Sequence, residues 1–173
     1  MFGAPRVFQS VIILGVVGII ALPAAGCVDI SGGAVEVSWA VFSRDGRAIN
    51  DCSCADPAIG YVRLQLVSET DPGNQPCAGN GACRFACGRK TGATPFFIAP
   101  GQYLMSVVPL DADGNDLATT FIPGNAVPSV QTPAAESGTV VRGQPTELEA
   151  FMLEADCRST CNAGGILSPC TGG

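Results

Sequence analysis

Histidine is absent from the 173 residues. That removes the commonest general base near neutral pH and the commonest metal ligand. A Ser or Cys nucleophile would lack its usual partner. Lysine occurs once, as Lys90, and Arg89-Lys90 is the only adjacent basic pair. The formal charge is −6, so phosphate backbones and anionic headgroups repel the chain, which excludes nucleic acid as a partner. No phosphate-cradling loop opens a helix, because Gly79-Asn80-Gly81 sits in a Cys-rich stretch. No CxxC pair occurs, so an oxidoreductase reading has no motif to stand on. Helical periodicity never extends beyond a turn or two, and no internal repeat is found.

What is present begins with 22 Gly and 13 Pro, an excess that predicts many turns. Val, Ile, Leu and Phe remain plentiful between them, which separates the chain from a disordered one. Nine cysteines are many for this length. In an oxidising compartment they become disulfides, whereas in the cytosol they would need a metal or redox role.

The first 26 residues decide between these compartments. Met1 to Arg6 holds one positive charge, and Val11 to Leu22 is wholly apolar or Gly. Pro23, the small residues Ala24-Ala25-Gly26 and then Cys27 follow. A spanning helix needs ~20 apolar residues, and this run is shorter and ends at a helix breaker, so a cleaved leader is expected. Removing residues 1–26 leaves one domain of about 150 residues, a size that buries roughly two-thirds of its unfolded surface. The leader holds Arg6 and no acid, so the mature chain is one unit more negative.

Leu22-Pro23-Ala24-Ala25-Gly26-Cys27 resembles the lipobox of bacterial lipoproteins, with Ala24 where Leu is usual. The resemblance implies diacylglycerol on the Cys27 sulfur and attachment to a membrane through it. Val28 after that cysteine implies the outer membrane rather than the inner, although Asp29 stands one place later. The plainer alternative is an ordinary leader cut near Ala25, with Cys27 in a disulfide. Parity favours lipid: the other cysteines are an even set, Cys52, Cys54, Cys77, Cys83, Cys87, Cys157, Cys161 and Cys170. All eight are expected in disulfides. Cys52 and Cys54 should pair elsewhere than with each other. The Asp71–Pro95 loop should be closed by Cys77, Cys83 or Cys87, and the tail should send back at least one long-range bridge.

Residues 27–33 form a short tether, 34–155 the domain and 156–173 a Cys- and Gly-rich tail. Val35, Val37, Trp39 and Val41 alternate with polar or small residues, as do Val62, Leu64 and Leu66; both patterns predict half-buried strands. Gln102 to Leu110 is apolar on both faces and is expected as a central strand. Asp111 to Asp116 is a hairpin turn, with Leu117 to Ile122 returning. Thr139-Val140-Val141 and Thr146 to Glu154 are the last strands. Asp71–Pro95 and Pro123–Gly138 read as long loops. The sum is an all-β chain, a single antiparallel β-sandwich with disulfide-stabilised loops. Pro100-Gly101-Gln102-Tyr103 into Val107-Val108, followed by Asp113-Gly114-Asn115, resembles transthyretin-like and carboxypeptidase-regulatory-like sandwiches; an immunoglobulin-like sandwich fits nearly as well. With its lipobox, the whole resembles Cys-rich surface lipoproteins of high-GC Gram-negative bacteria.

Other constellations favour structural roles. Cys83–Cys87 and Cys157–Cys161 have spacings that zinc sites use, but an exported chain oxidises such thiols. Asp111-Ala112-Asp113-Gly114-Asn115-Asp116 lacks the ligand spacing of a calcium loop, because Gly114 comes early and no Glu follows. Carboxylate pairs for glycoside chemistry are conceivable among Asp111, Asp113 and Asp116, or as Glu147 and Glu149, yet turn and strand carboxylates are usually solvated. Trp39 and Phe96-Phe97 are expected in the core rather than on a binding surface. These readings lead to a non-enzymatic envelope lipoprotein without cofactor or metal, with a structural or protein-binding role. The alternative is a binder of small ligands or carbohydrate through its two long loops.

Overall fold

The computed structural model describes residues 30–118, 129–158 and 161. The chain is all-β across these residues, with strands β1 (Ala34–Ser43), β2 (Ala55–Asp56), β3 (Tyr61–Ser68), β4 (Arg84–Ala86), β5 (Thr91–Ala93), β6 (Gly101–Leu110), β7 (Val130–Gln131), β8 (Glu136–Val140) and β9 (Pro145–Cys157). Among the described residues, the helical elements are three single turns at Cys52–Cys54, Gly81–Cys83 and Cys87–Arg89. Among the described residues no helix is long and apolar enough to cross a membrane.

Two sheets form. One runs β2-β9-β1-β5, with β7 also on β9; the other runs β4-β3-β6-β8. Their apolar faces meet in one cluster. Val35, Val37, Trp39 and Val41 join Phe151 and Leu153 from the first sheet, with Val62, Leu64, Leu66, Met105 and Val107 from the second. The alternation on β1 and β3 is what places them there, since successive side chains on a strand point to opposite faces. β6 lies between β3 and β8, as its two apolar faces predict.

The structure departs from the sequence expectations in several places. First, pairing is not uniformly antiparallel: β1 and β9 run parallel, from Ala34 opposite Pro145 to Ser43 opposite Ala155, with a bulge between Glu36 and Ser38. A parallel pair needs a long return connection, and the whole of the second sheet lies between these strands in sequence. Secondly, Asp71–Pro95 is not only loop. It contributes β4 to one sheet and β5 to the other, because Phe85 is an apolar anchor that reaches the core.

Thirdly, Phe96 and Phe97 are not core residues. They are 41% and 36% exposed, and only Ile98 of that trio is buried. They occupy a turn before β6, where the Phe97 amide bonds the Pro95 carbonyl (2.9 Å), so strand alternation does not direct them inward. Trp39, by contrast, is buried. Fourthly, Leu117 and Ala118 form a bend rather than a returning strand. Asp116 makes one isolated bridge to Leu110, and the Leu117 amide bonds the Pro109 carbonyl (2.9 Å). The remainder of that expected strand, 119–122, lies outside the described residues, as do 1–29 with Cys27, and Cys170. Of the expected Pro123–Gly138 loop, residues 130–131 and 136–138 are strand. β9 continues to Cys157, so the tail leaves the domain from within a strand.

Candidate functional site

The described cysteines are oxidised. Cys52 bonds Cys87, Cys54 bonds Cys161, and Cys77 bonds Cys83. Cys157 is also disulfide-bonded, with a partner outside the described residues. Cys52 and Cys54 lie on the single helical turn that Asp51 caps, its carboxylate accepting from the Ser53 amide at 2.9 Å. One turn therefore sends two bridges in different directions. Cys54 holds the tail 107 residues away, beside the pairing of β2 with the end of β9. Cys52 holds the segment that passes from β4 to β5.

That crossing has further anchors. The Trp39 indole N–H donates to the Cys87 carbonyl (3.0 Å), and the Phe85 ring stacks on Trp39 with centroids 6.2 Å apart. Gly92 allows this packing: a Cβ there would lie 2.4 Å from the Phe85 ring. Val35 donates its amide to the Thr94 hydroxyl (2.9 Å), closing β5 against β1. Lys90 takes a left-handed backbone conformation with φ 60°. Its ammonium group reaches the Ile49 carbonyl and the Cys52 sulfur, each at 3.4 Å. Burial pushes the Lys90 amine below its ordinary pKa, and the nearby Asp51 carboxylate opposes this in part.

Beside the crossing is an open groove of about 540 Å³, bordered by Glu36, Phe85, Arg89, Thr91, Glu147 and Leu148 among others. Glu36 and Glu147 are register partners on the parallel pair, so two carboxylates share one face of a groove that Arg89 also lines. Such a set can accept hydrogen bonds from hydroxyls and donate to a carboxylate or carbonyl. A second hollow of about 470 Å³, between β8 and β9, carries Glu136, Glu147 and Glu149. The sequence pattern pointed to Glu149 and Glu147 only as an alternating pair; that Glu36 and Arg89 join Glu147 depends on pairing between distant strands.

The Asp111 turn serves itself. The Asp111 carboxylate accepts from the Asp113 amide (2.9 Å), the Asn115 amide (2.8 Å) and the Asn115 side chain (2.8 Å), bonds that hold its pKa below the ordinary carboxylate value. Gly114 supplies the φ of +93° that the turn requires. Among the described residues no group of three or more acids or cysteines is arranged to hold a metal ion.

Comparison of the chain with protein-family models, with curated proteins and with solved structures found no match. The functional reading therefore rests on the residues and geometry above.

Proposed function

We propose that this protein is a lipid-anchored lipoprotein of the bacterial cell envelope, held to the outer membrane through Cys27, with a structural or protein-binding role rather than an enzymatic one. The observation that carries this reading is the oxidised state of the cysteines, with three bridges closed among the described residues. Disulfides persist where a chain has been exported, and residues 1–26 have the form of an export leader that ends at a lipidatable thiol. The two sheets and their shared core support a β-sandwich of transthyretin-like or immunoglobulin-like type. So does Tyr103, buried near the start of β6 with its hydroxyl on the Ala99 carbonyl (2.9 Å) and a polar turn at the far end of the strand.

The test is Cys27→Ser. The variant should stay uncleaved at this site, lack lipid by mass spectrometry and leave the detergent phase. A variant still cut before residue 27 and still in the detergent phase would refute the lipoprotein reading.

The groove beside Arg89 favours a second reading, a binder of small polar ligands or carbohydrate. Half its border comes from the Asp71–Pro95 segment. Glycan-array binding that Arg89→Ala abolishes would select this reading over the first.

A further inference from the structure

The point where the tether enters the fold is ringed by exposed apolar side chains. Ile30 is 42% exposed and Val141 44%, alongside the exposed Phe96 and Phe97. Backbone contacts bring the three segments together. Gly33 and Ile98 exchange amide–carbonyl bonds at 2.8 and 3.2 Å, and the Gly143 amide bonds the Gly32 carbonyl (2.9 Å). There is no room for side chains between them: a Cβ on Gly32 would lie 2.8 Å from the Phe97 carbonyl carbon, and one on Gly33 2.5 Å from the Val141 oxygen. The Gly32-Gly33 backbone is thus clasped between the Phe96-Phe97 turn and the Val141–Gln144 turn, each of which presents apolar surface beside the emerging chain. Arg142, also exposed, sits on the second turn.

We propose that this rim is a membrane-contacting surface: Ile30, Phe96, Phe97 and Val141 dip into the interfacial layer of the bilayer that carries the Cys27 lipid, with Arg142 at the headgroup phosphates. The inference rests on the lipid-anchor reading above, and it adds that the domain stands on the membrane in one orientation. Distance supports it. Ile30 lies three positions after Cys27, so the two Cα atoms are no more than about 11 Å apart in any conformation. A headgroup layer is itself about 6 Å thick, so a lipidated Cys27 brings the rim to the membrane surface. Chemistry supports it as well. Phe and aliphatic side chains bury in the boundary between headgroups and acyl chains, and a basic residue beside them contacts phosphate. The acidic charge of the chain as a whole opposes adsorption to anionic lipid, which makes uncharged side chains the suitable contact.

The experiment uses the mature, lipidated protein reconstituted into phosphatidylethanolamine/phosphatidylcholine vesicles, with and without brominated acyl chains. Native Trp39 is buried in the core and should be insensitive to bromine. Phe97→Trp and Val141→Trp, on either side of the tether, should each add emission that brominated lipid reduces about twofold, as for an interfacial aromatic. Met152→Trp, 49% exposed in mid-strand on β9, should add emission that bromine leaves unchanged. If the proteins float with the vesicles but neither rim tryptophan is quenched, or Met152→Trp is quenched equally, the oriented contact is wrong while the anchor stands. If the mature protein carries no lipid mass and does not float, the anchor reading fails and this inference with it.

Discussion

The β3–β6 ladder and the Arg84–Thr94 crossing hold together by different means. In the ladder, eight register pairs run from Tyr61 opposite Leu110 to Ser68 opposite Tyr103. Its inner face is supplied by Val62, Leu64 and Leu66 against Pro109, Val107 and Met105. Many small contributions add up, and no one side chain is decisive. The crossing has two strands of three residues, each on a different sheet. It depends on a few anchors: the Phe85 ring, Gly92, the Cys52–Cys87 disulfide, and the hydrogen bonds of the Trp39 indole, the Thr94 hydroxyl and the Lys90 ammonium group. A periodic segment spreads its stability over many positions, whereas an aperiodic one concentrates it at a few.

That contrast can be broken at the crossing first. Phe85→Ala should cost about 3–5 kcal/mol in urea denaturation, the usual range for emptying a buried Phe site. Solvent-facing Gln65→Ala on the ladder should stay within about 0.5 kcal/mol. Equal losses from the two would show that the crossing is no more concentrated than the ladder.

Next in size is the Cys52–Cys87 bridge. Cys52→Ala/Cys87→Ala should cost about 2–4 kcal/mol on the chain-entropy account of a loop this long. Hydrogen exchange should then accelerate at the Cys87 and Lys90 amides while the Leu64 and Met105 amides stay protected. Uniform acceleration across both regions would contradict the comparison.

Gly92→Ala should be milder, about 1–3 kcal/mol, because the Phe85 ring must move away from the new methyl group. Pairing it with Phe85→Leu should recover part of the loss; a purely additive double variant would place the cost in the backbone instead.

The smallest effect lies at the Arg44–Arg47 turn. Hydrogen bonds from Arg47 and then Ser43 lower the Asp45 pKa from 3.8 to about 2. A depressed carboxylate stabilises the fold above its unfolded pKa, and that contribution fades as pH falls through about 2. The carboxylate is fully exposed, so solvent screens the pair and the stability change should be slight. A carboxyl ¹³C titration should place the Asp45 midpoint well below that of an unstructured aspartate, and Arg47→Ala should return it towards 3.8. An unchanged midpoint in that variant would remove Arg47 as the cause.

Period-two alternation over Val35 to Val41 and over Val62 to Leu66, and apolar residues on both faces of Gln102 to Leu110, were enough to mark β1, β3 and β6. Burial acts on each side chain separately and leaves its period in the chain. The turn at Asp113-Gly114 was legible for a similar reason, since positive φ restricts residue type locally. Strand direction is different: an alternating pattern reads the same forwards and backwards, so nothing local foretold that β1 and β9 run parallel. Three-residue strands such as β4 and β5 are too short for a period to register. The groove inherits this blindness, because Glu36, Arg89 and Glu147 are drawn together only by pairing across most of the chain.

The sequence alone determined the all-β class, the main strands and a cysteine set suited to oxidation, because each depends on residue type and near neighbours. Only the tertiary structure decided which cysteines join, which strands run parallel, and that Phe96 and Phe97 stand outside the core beside the tether. Those outcomes depend on which distant backbone segments come within bonding distance, and that is a property of the packed chain as a whole.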